Sequence, residues 1–344
     1  MSPSVRRLAE RVALGFAVAA AFFLQACSLA PPREAAPARE GAAAVLARDR
    51  DFVVVLAEKG DTLGTLAERY LGDAAKAWWI GDYNGIDEVK PGRDVVVPLQ
   101  PRNIGGVYPG GVQTVPILCY HRFGSNRSKL SVTPAAFEQQ MEYLAKNGYR
   151  VITLSQLAAF LSGREPLPKK SVVVTIDDGY RSIYEIAFPI LRKHQFPATI
   201  FLYSDFVGLP DALTWTQMQE MMRSGLVEIQ PHSKSHANLT LKLPKESEAQ
   251  YRERVRNEIE GPVAALKSRL GATPFSFAFP YGDVNEPVAE ILARNGLRLG
   301  LTVTPGGNPF YAYPLMLRRT MIFGEDDAAS FRAKLAVFAR TGAR

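Results

Sequence analysis

Residues 171–179 have the sequence SVVVTIDDG. The apolar, β-branched run from Val172 to Ile176 is typical of a strand that is buried on both faces, and two adjacent carboxylates follow it directly. Burying such a pair is costly unless a metal ion or a charged partner offsets the charge. Adjacent residues at a strand end point in different directions, so Asp177 and Asp178 can take different roles. The motif predicts a functional site at the end of this strand.

Strand-like runs alternate with helical segments on both sides of this motif. The predicted strands are Val115–Tyr120, Tyr149–Ile152, Ser171–Asp177, Ala198–Leu202, Val227–Pro231, Ser276–Phe279 and Gly300–Val303. The predicted helices include Pro134–Asn147, Ile183–His194, Trp215–Ser224, Ser247–Leu270 and Asn285–Asn295. Repeated strand–helix units predict an α/β domain with a parallel sheet, and about seven strands favour an incomplete barrel over an open doubly wound sheet. Reactive groups of barrels cluster at the C-terminal ends of the strands.

A second strand end carries two histidines. The strand at 227–231 is followed by HSKSH, in which His232 and His236 are four residues apart, the spacing of one face of a helical turn. One aspartate and two imidazoles form a three-ligand set that leaves a fourth position for water, the arrangement of catalytic zinc. Zn²⁺ is the expected ion, and Co²⁺, Ni²⁺ or Fe²⁺ fit the same ligands.

These motifs resemble those of the NodB-homology polysaccharide deacetylases, carbohydrate esterase family 4. The similarity lies in TIDDG, HSKSH and FAFPYGD (277–283), and extends over nearly all of 113–335 through VPILCYHRF, FEQQMEYLAKNGYRVITL and FPATIFL. It implies a distorted (β/α) barrel of about seven strands. It also implies that Asp178, His232 and His236 bind the metal and that Asp177 is the general base.

Further residues follow from the same resemblance. The backbone N–H of Tyr281 is expected to stabilise the oxyanion, and Tyr180, Pro280 and Trp215 are candidates for substrate contact. The implied reaction is hydrolysis of an N-acetyl group on a glucosamine-containing polymer, peptidoglycan or an exopolysaccharide.

The sequence departs from the family pattern at three points. Ala278 stands where the third motif usually has arginine, no histidine occurs in 302–314 where the general acid is expected, and the Asp-and-Trp fourth motif is missing. We predict that Arg319 orients Asp177 and that His121 donates the proton. The alternatives are a surface arginine and a structural hydrogen bond at a strand end.

The N-terminus predicts a lipoprotein. An apolar run from Val12 to Leu24 suits a secretory signal and is too short to span a bilayer, and LQAC at 24–27 resembles a bacterial lipobox. Residues 1–26 are therefore interpreted as a signal peptide, Cys27 as the lipidation site and 27–50 as a flexible tether. The predicted location is the cell envelope, anchored to the outer membrane and facing the periplasm. An ordinary cleaved signal is the alternative.

Residues 51–99 predict a compact β-α-α-β module. The segments VVVLAEKGDTLGTLAERYLGD, WWIGDYNGID and VKPGRDVVVPL resemble the LysM family, which implies binding of N-acetylglucosamine-containing chains. The implied groove residues are Gly60, Asp61, Thr62, Asn84 and Ile86. Asp61 and Thr62 would also serve as helix caps, and Trp78 or Trp79 suits a core as well as a sugar platform. A linker at 100–112 then leads to the deacetylase domain at 113–344.

Composition limits the function classes. The 344 residues carry a formal net charge of +7, without the basic stripe and interleaved aromatics that nucleic-acid binding requires. The leading hypothesis is a polysaccharide deacetylase tethered to glycan by its LysM module. The alternatives are a glycan O-acetyl esterase using the same site and a non-catalytic wall-binding lipoprotein. The oligomeric state is left open.

Overall fold

The computed structural model describes residues 44–125 and 129–340. The predicted signal peptide, the lipidation site Cys27 and most of the tether lie outside the described residues. Within those ranges, no helix is both long enough and apolar enough to cross a bilayer.

An N-terminal module has the predicted β-α-α-β order over residues 52–98, preceded by one further strand. It consists of β1 (Ala44–Arg48), β2 (Phe52–Leu56), α1 (Leu63–Leu71), α2 (Ala77–Asn84) and β3 (Asp94–Pro98), with β2 and β3 antiparallel in a sheet ordered β1-β2-β3. Its core is formed by Val53, Val55, Leu66, Ile80 and Val95. Strand β1 corrects the prediction that 27–50 is tether throughout. All side chains of β1 are exposed, so no burial pattern marks it, and backbone pairing alone adds it to the sheet.

The predicted linker at 100–112 contains regular structure. Strands β4 (Val107–Tyr108) and β5 (Gly111–Gln113) form a hairpin, and β5 also pairs with the C-terminal strand Phe338–Arg340. Gly111 is required there because a β-carbon would lie 2.1 Å from the carbonyl oxygen of Ala339. The pairing partner comes from the other end of the chain, which explains why local composition indicated only a joint.

The remaining elements follow the predicted alternation. They are β6 (Val115–Tyr120), β7 (Arg122–Phe123), β8 (Ser131–Val132), α3 (Pro134–Lys146), β9 (Arg150–Val151), α4 (Leu154–Leu161), β10 (Ser171–Asp178), α5 (Phe188–His194), β11 (Ala198–Leu202), α6 (Trp215–Arg223), β12 (Val227–Pro231), α7 (Glu248–Leu270), β13 (Ser276–Ala278), α8 (Glu286–Arg294), β14 (Leu299–Leu301), β15 (Gly307–Asn308), β16 (Thr320–Met321), α9 (Ala328–Ala333) and β17 (Phe338–Arg340). A π-helical turn, Ile183–Ala187, precedes α5. The seven predicted strands are confirmed, with ends that agree within two residues.

The strands form more than one sheet. Strands β12-β11-β10-β6 are parallel, with β16 added beside β6 and β9 beside β10, whereas β13 and β14 form a separate pair. Between β12 and β13, a side chain takes the place of the hydrogen bonds between strand backbones. Oε1 of Gln230 accepts the N–H groups of Phe275 at 3.0 Å and Ser276 at 3.1 Å. The described residues therefore show a mixed α/β fold whose backbone ladder is interrupted at this point.

Strand β10 separates two apolar cores. Val172, Val174 and Ile176 pack into the larger cluster, while Val173 packs into a second one. This alternation is the period of a strand whose two faces are both covered. Asp177 continues the side of Val173, and it therefore points into the interior rather than towards solvent.

Candidate active site

Asp177 forms a two-pronged ion pair with Arg319. The guanidinium Nη1 donates to Oδ1 at 2.7 Å and Nη2 donates to Oδ2 at 2.8 Å, while Nε donates to the carbonyl of Thr302 at 2.8 Å. Arg319 is fully buried, so the alternative of a surface arginine is wrong. Burial alone would raise the pKa of Asp177, but Arg319 and the His232 imidazole outweigh it and hold this pKa well below its usual range. Asp177 is therefore an ionised carboxylate in the interior.

Asp178, His232 and His236 converge at the ends of β10 and β12. One Asp178 oxygen lies 3.7 Å from Nε2 of His232 and 3.4 Å from Nε2 of His236, and donor atoms of all three residues lie within 4.8 Å of one another. The ring of His232 is oriented by the Ala278 carbonyl, which is 2.7 Å from Nδ1. This bond assigns the proton to Nδ1 and leaves Nε2 free to face the carboxylate.

The local charges suit a cation at this point. Burial lowers the pKa of His232, which favours the neutral imidazole that metals bind. For His236, burial also acts to lower the pKa, but the neighbouring Asp178 carboxylate outweighs it and raises the value overall. Two imidazoles and a carboxylate match the ligand chemistry of a divalent transition metal, and the residues present therefore fit such an ion.

The prediction that the two histidines share a helical turn is wrong. Ser233 and His236 have φ values of 72° and 62°, so 232–236 is an irregular loop, and the His236 N–H bonds to Ser233 Oγ. The amides of this loop are satisfied by a side chain from elsewhere. Glu258 on α7 accepts the N–H groups of Lys234 at 3.0 Å and Ser235 at 2.9 Å.

Glu258 was not predicted as a site residue. Its second carboxylate oxygen accepts the Ser235 hydroxyl at 2.7 Å, and the residue is 8% exposed. Its only sequence signal was a charged residue among the apolar positions Val255, Ile259 and Val263, on the buried face of a long amphipathic helix. A buried carboxylate with three donors is a structural anchor for the loop that carries both imidazoles.

His121 and Cys119 lie on the Asp177 side of the site. A nitrogen of His121, Sγ of Cys119 and a carboxylate oxygen of Asp177 lie within 4.8 Å of one another. The Cys119 thiol is 3.5 Å from Asp177 Oδ2, and burial raises its pKa well above the usual value, so it remains a protonated thiol. Nδ1 of His121 is buried and has no hydrogen-bond partner among the described residues. The described residues therefore give no support to the alternative that Nδ1 makes a structural hydrogen bond.

The residues that were predicted to contact substrate differ in exposure and packing. Tyr281 is 61% exposed, and its ring centroid is 4.9 Å from that of His236. Its N–H belongs to the first turn of a 3₁₀ helix, Pro280–Gly282, where amides have no partner within the helix. Tyr180 is half-buried beneath the Arg122 guanidinium, 4.5 Å from its ring. Trp215 opens α6 and packs against the larger core cluster.

Strained backbone is concentrated at this site. Four non-glycine residues with left-handed φ belong to it, Asp178, Ser233, His236 and Tyr281. Such conformations cost of order 1–3 kcal/mol each and persist where the surrounding structure over-determines them. Their grouping around one donor set indicates a functional centre.

In the N-terminal module, the predicted groove side chains are engaged in holding the fold. Thr62 is the N-cap of α1 in a capping box with Thr65, and Asp61 Oδ2 accepts the Glu58 N–H at 2.9 Å. Asn84 joins α2 to β3 through both atoms of its amide, towards the backbone of Val96. Gly60 has φ of 98° at the turn, and Ile86 bonds through its N–H to the Gly81 carbonyl.

Comparison with known proteins agrees with this geometry. Residues 164–300 match the profile of the polysaccharide deacetylase family. The chain is 33% identical over 211 residues to the poly-β-1,6-N-acetyl-D-glucosamine N-deacetylase of Escherichia coli K12, covering 52% of this chain and 31% of that protein. It is 29% identical over 195 residues to the protein of the same name from Staphylococcus aureus strain MRSA252, covering 53% and 66%. The chain thus spans about a third of the length of the Escherichia coli relative.

Solved structures show the same fold. IcaB from Ammonifex degensii matches with a TM-score of 0.59 at 29% identity, over 66% of this chain and 97% of that one. The Streptococcus pyogenes deacetylase PplD, in complex with acetate, matches with a TM-score of 0.59 at 26% identity, over 65% and 99%. Together with the Asp178–His232–His236 set, these similarities support a polysaccharide deacetylase domain of the NodB-like type, carbohydrate esterase family 4, within this chain.

Proposed function

We propose that this chain is a metal-dependent hydrolase that removes N-acetyl groups from a β-1,6-linked N-acetylglucosamine exopolysaccharide. The observation that carries the proposal is a buried Asp177, held by two hydrogen bonds from Arg319, directly beside three convergent metal-ligand side chains. The names of the Escherichia coli and Staphylococcus aureus relatives support this polymer over peptidoglycan. We further propose that the strands around the site form the distorted barrel that the resemblance implies.

The residues divide the reaction between them. Asp178, His232 and His236 would hold the ion, with Zn²⁺ proposed from the ligand types. A divalent ion bound there supplies Lewis-acid chemistry, which polarises a carbonyl and lowers the pKa of water. Asp177 is held by Arg319 with its oxygens in fixed positions, and it acts as the base that accepts a proton from the attacking water.

Two further groups act on the substrate itself. The N–H of Tyr281 donates to the oxyanion that forms at the acetyl carbon. A nitrogen of His121 lies within 4.8 Å of an Asp177 oxygen, which supports the proposal that His121 donates the proton required by the departing sugar nitrogen. Tyr180 follows the end of β10 and would contact the sugar, whereas the burial of Pro280 and the packing of Trp215 support mainly structural roles for these two residues.

A direct assay tests the function. Full-length protein in detergent, loaded with Zn²⁺, is incubated with fully N-acetylated β-1,6-linked pentasaccharide, and acetate release is followed with mass spectrometry of the product. Loss of one acetyl mass per turnover is expected, and activity should disappear on chelation and in Asp178→Asn, which should also lose metal. Glu142→Gln, an exposed carboxylate paired with Lys146, is the matched control. Release from O-acetylated but not N-acetylated oligomers would instead support the esterase alternative, which the missing histidine in 302–314 favours.

The N-terminal part is proposed to localise the enzyme. We propose that 51–99 is a LysM-type glycan-binding module and that Cys27 carries a lipid anchor on the periplasmic side of the outer membrane. The β-α-α-β order supports the first proposal, and the lipobox-like sequence supports the second. Cys27→Ser should move the protein from the membrane fraction to the soluble fraction. A variant that remains membrane-bound would contradict the anchor.

A further inference from the structure

A cleft of about 340 Å³ lies between the N-terminal module and the deacetylase domain. One wall is helix α2, with Trp78, Trp79, Asp82 and Tyr83. The opposite side includes Tyr108 from β4 and Lys169 from the loop before β10. Its size lies at the lower end of the range for small-molecule sites, and it is too small for a protein partner.

The cleft is held in shape by two hydrogen bonds between its walls. The main-chain N–H of Lys169 donates to Asp82 Oδ2 at 3.0 Å, and the Lys169 ammonium donates to the Asp82 carbonyl at 2.8 Å. These bonds join α2 directly to the loop that leads into β10, the strand that carries Asp177 and Asp178 at its end. The site is therefore preformed, which reduces the entropic cost of binding.

The lining has the composition of a carbohydrate site. The rings of Trp78 and Trp79 stand nearly perpendicular, with centroids 6.0 Å apart, and both are only partly buried. Tyr83 is 49% exposed. Aromatic faces left open beside charged groups suit a ligand that is apolar on one face and polar at its edges. A pyranose ring has this character, since its axial C–H groups form an apolar face.

The polar groups indicate which sugar. Asp82 Oδ1 has no hydrogen-bond partner among the described residues, and the Lys169 ammonium lies beside the Tyr108 ring, 5.7 Å from its centroid. A carboxylate oxygen next to an ammonium can accept an amide N–H while the ammonium donates to the amide carbonyl. An acetamido group presents both, whereas a free amine would be attracted by Asp82 but repelled by Lys169.

We propose that this cleft binds an N-acetylhexosamine unit of a polysaccharide, with the sugar face against Trp78 or Trp79 and the acetamido group between Asp82 and Lys169. The cleft is distinct from the metal-ligand set and from the predicted groove residues Gly60, Asp61 and Thr62. It would hold a still-acetylated part of the polysaccharide at a fixed distance from the catalytic residues. The choice of ligand class rests on the proposed function.

Tryptophan fluorescence tests the cleft by itself. The chain has three tryptophans, so in a Trp215→Phe background the remaining emission comes from Trp78 and Trp79. Titrating full-length Trp215→Phe protein with fully acetylated β-1,6-linked pentasaccharide should give a saturable change in emission. Adding Tyr83→Ala should raise Kd about tenfold, the loss expected for one ring contact. Adding Asp82→Asn should raise it several-fold, because the amide NH₂ then faces the N–H of the ligand.

The controls separate this inference from the proposed function. Tyr311→Ala removes an exposed ring outside the cleft and should leave Kd unchanged. No saturable emission change, or a Kd unaffected by both Tyr83→Ala and Asp82→Asn, would overturn the proposal that the cleft binds the sugar. Equal affinity for cellopentaose would overturn the acetamido assignment. Acetate release by the wild-type protein is measured separately, so binding without release contradicts only the proposed function, and release without binding contradicts only the cleft.

Discussion

Arg319 and Asp177 are joined by two parallel hydrogen bonds, at 2.7 and 2.8 Å, between side chains that are almost completely buried. The residues are 142 positions apart in the chain. A planar guanidinium matches both carboxylate oxygens at once, which fixes the direction of the carboxylate as well as its charge. The orientation of the proposed base therefore depends on a segment near the C-terminus.

Removal of Arg319 is expected to destabilise the protein strongly. Arg319→Ala leaves the Asp177 charge buried and unpaired, and the free energy of unfolding should fall by about 3–5 kcal/mol in urea titrations. Arg318→Ala, a change at the exposed neighbour, should stay within about 0.5 kcal/mol of wild type. Combining Arg319→Ala with Asp177→Asn should restore part of the lost stability but no acetate release. A loss below about 1 kcal/mol for Arg319→Ala would contradict a buried, tightly coupled pair.

His121 is expected to affect turnover rather than metal binding. His121→Ala should lower kcat by about 10²- to 10⁴-fold, the range for loss of a general acid, while bound Zn²⁺ measured by mass spectrometry stays at the wild-type level. His194→Ala, at the end of α5, provides the matched control and should keep full activity. Wild-type kcat in the His121 variant would exclude it as the proton donor.

Glu258 is expected to act through the loop it holds. Glu258→Ala removes the acceptor for two amides and one hydroxyl at 234–235, so affinity for Zn²⁺ should fall about 10- to 100-fold in competition with a chelator. Glu258→Gln keeps an oxygen for the amides and an NH₂ for the hydroxyl oxygen, and should stay near wild type. Glu253→Ala, an exposed position of the same helix, controls for changes in α7. Equal metal affinity in Glu258→Ala and wild type would show that the loop holds its shape without this carboxylate.

Glu246 gives a pH dependence with a defined sign. Hydrogen bonds from Arg254 lower the pKa of Glu246 to about 2. Because the folded pKa lies below the ordinary value of 4.5, the stabilisation is present above pH 4.5 and is lost as the pH falls towards 2. Carbon-detected NMR titration of the Glu246 carboxyl should show this value in wild type and a shift back towards 4.5 in Arg254→Met. A wild-type titration near 4.5 would show that the ion pair does not persist in solution.

Local patterns were sufficient where an element depends on its own residues. The apolar run before Asp177 and the alternation of strands and helices predicted the element order, because a strand that is buried on both faces has apolar residues at consecutive positions. The same patterns failed for β1, whose side chains are all exposed, and for the hairpin β4–β5. These strands exist because of backbone pairing with partners that composition does not reveal.

The loop at 232–236 shows most clearly which features follow from the sequence and which from the tertiary structure. Sequence spacing selected His232 and His236 as a pair, and the family resemblance added Asp178 from the end of another strand. The spacing was interpreted as a helical turn, whereas the chain uses left-handed residues and Glu258 to bring the imidazoles together. Residue identity determined which groups could bind a metal, and packing determined how they reach it.

By itself, the sequence determined the α/β order and the pairing of two histidines with carboxylates at strand ends, because these follow from residue type, short-range period and strand direction. The choice of Asp178 as the third ligand and the candidate role of Arg319 came from the family resemblance. Only the tertiary structure decided that Arg319 is buried against Asp177, that Ala278 orients His232 through its carbonyl, that Glu258 holds the histidine loop and that a cleft opens beside α2. Each of these contacts joins distant segments, and its geometry arises only when long-range burial and hydrogen bonding bring those segments together.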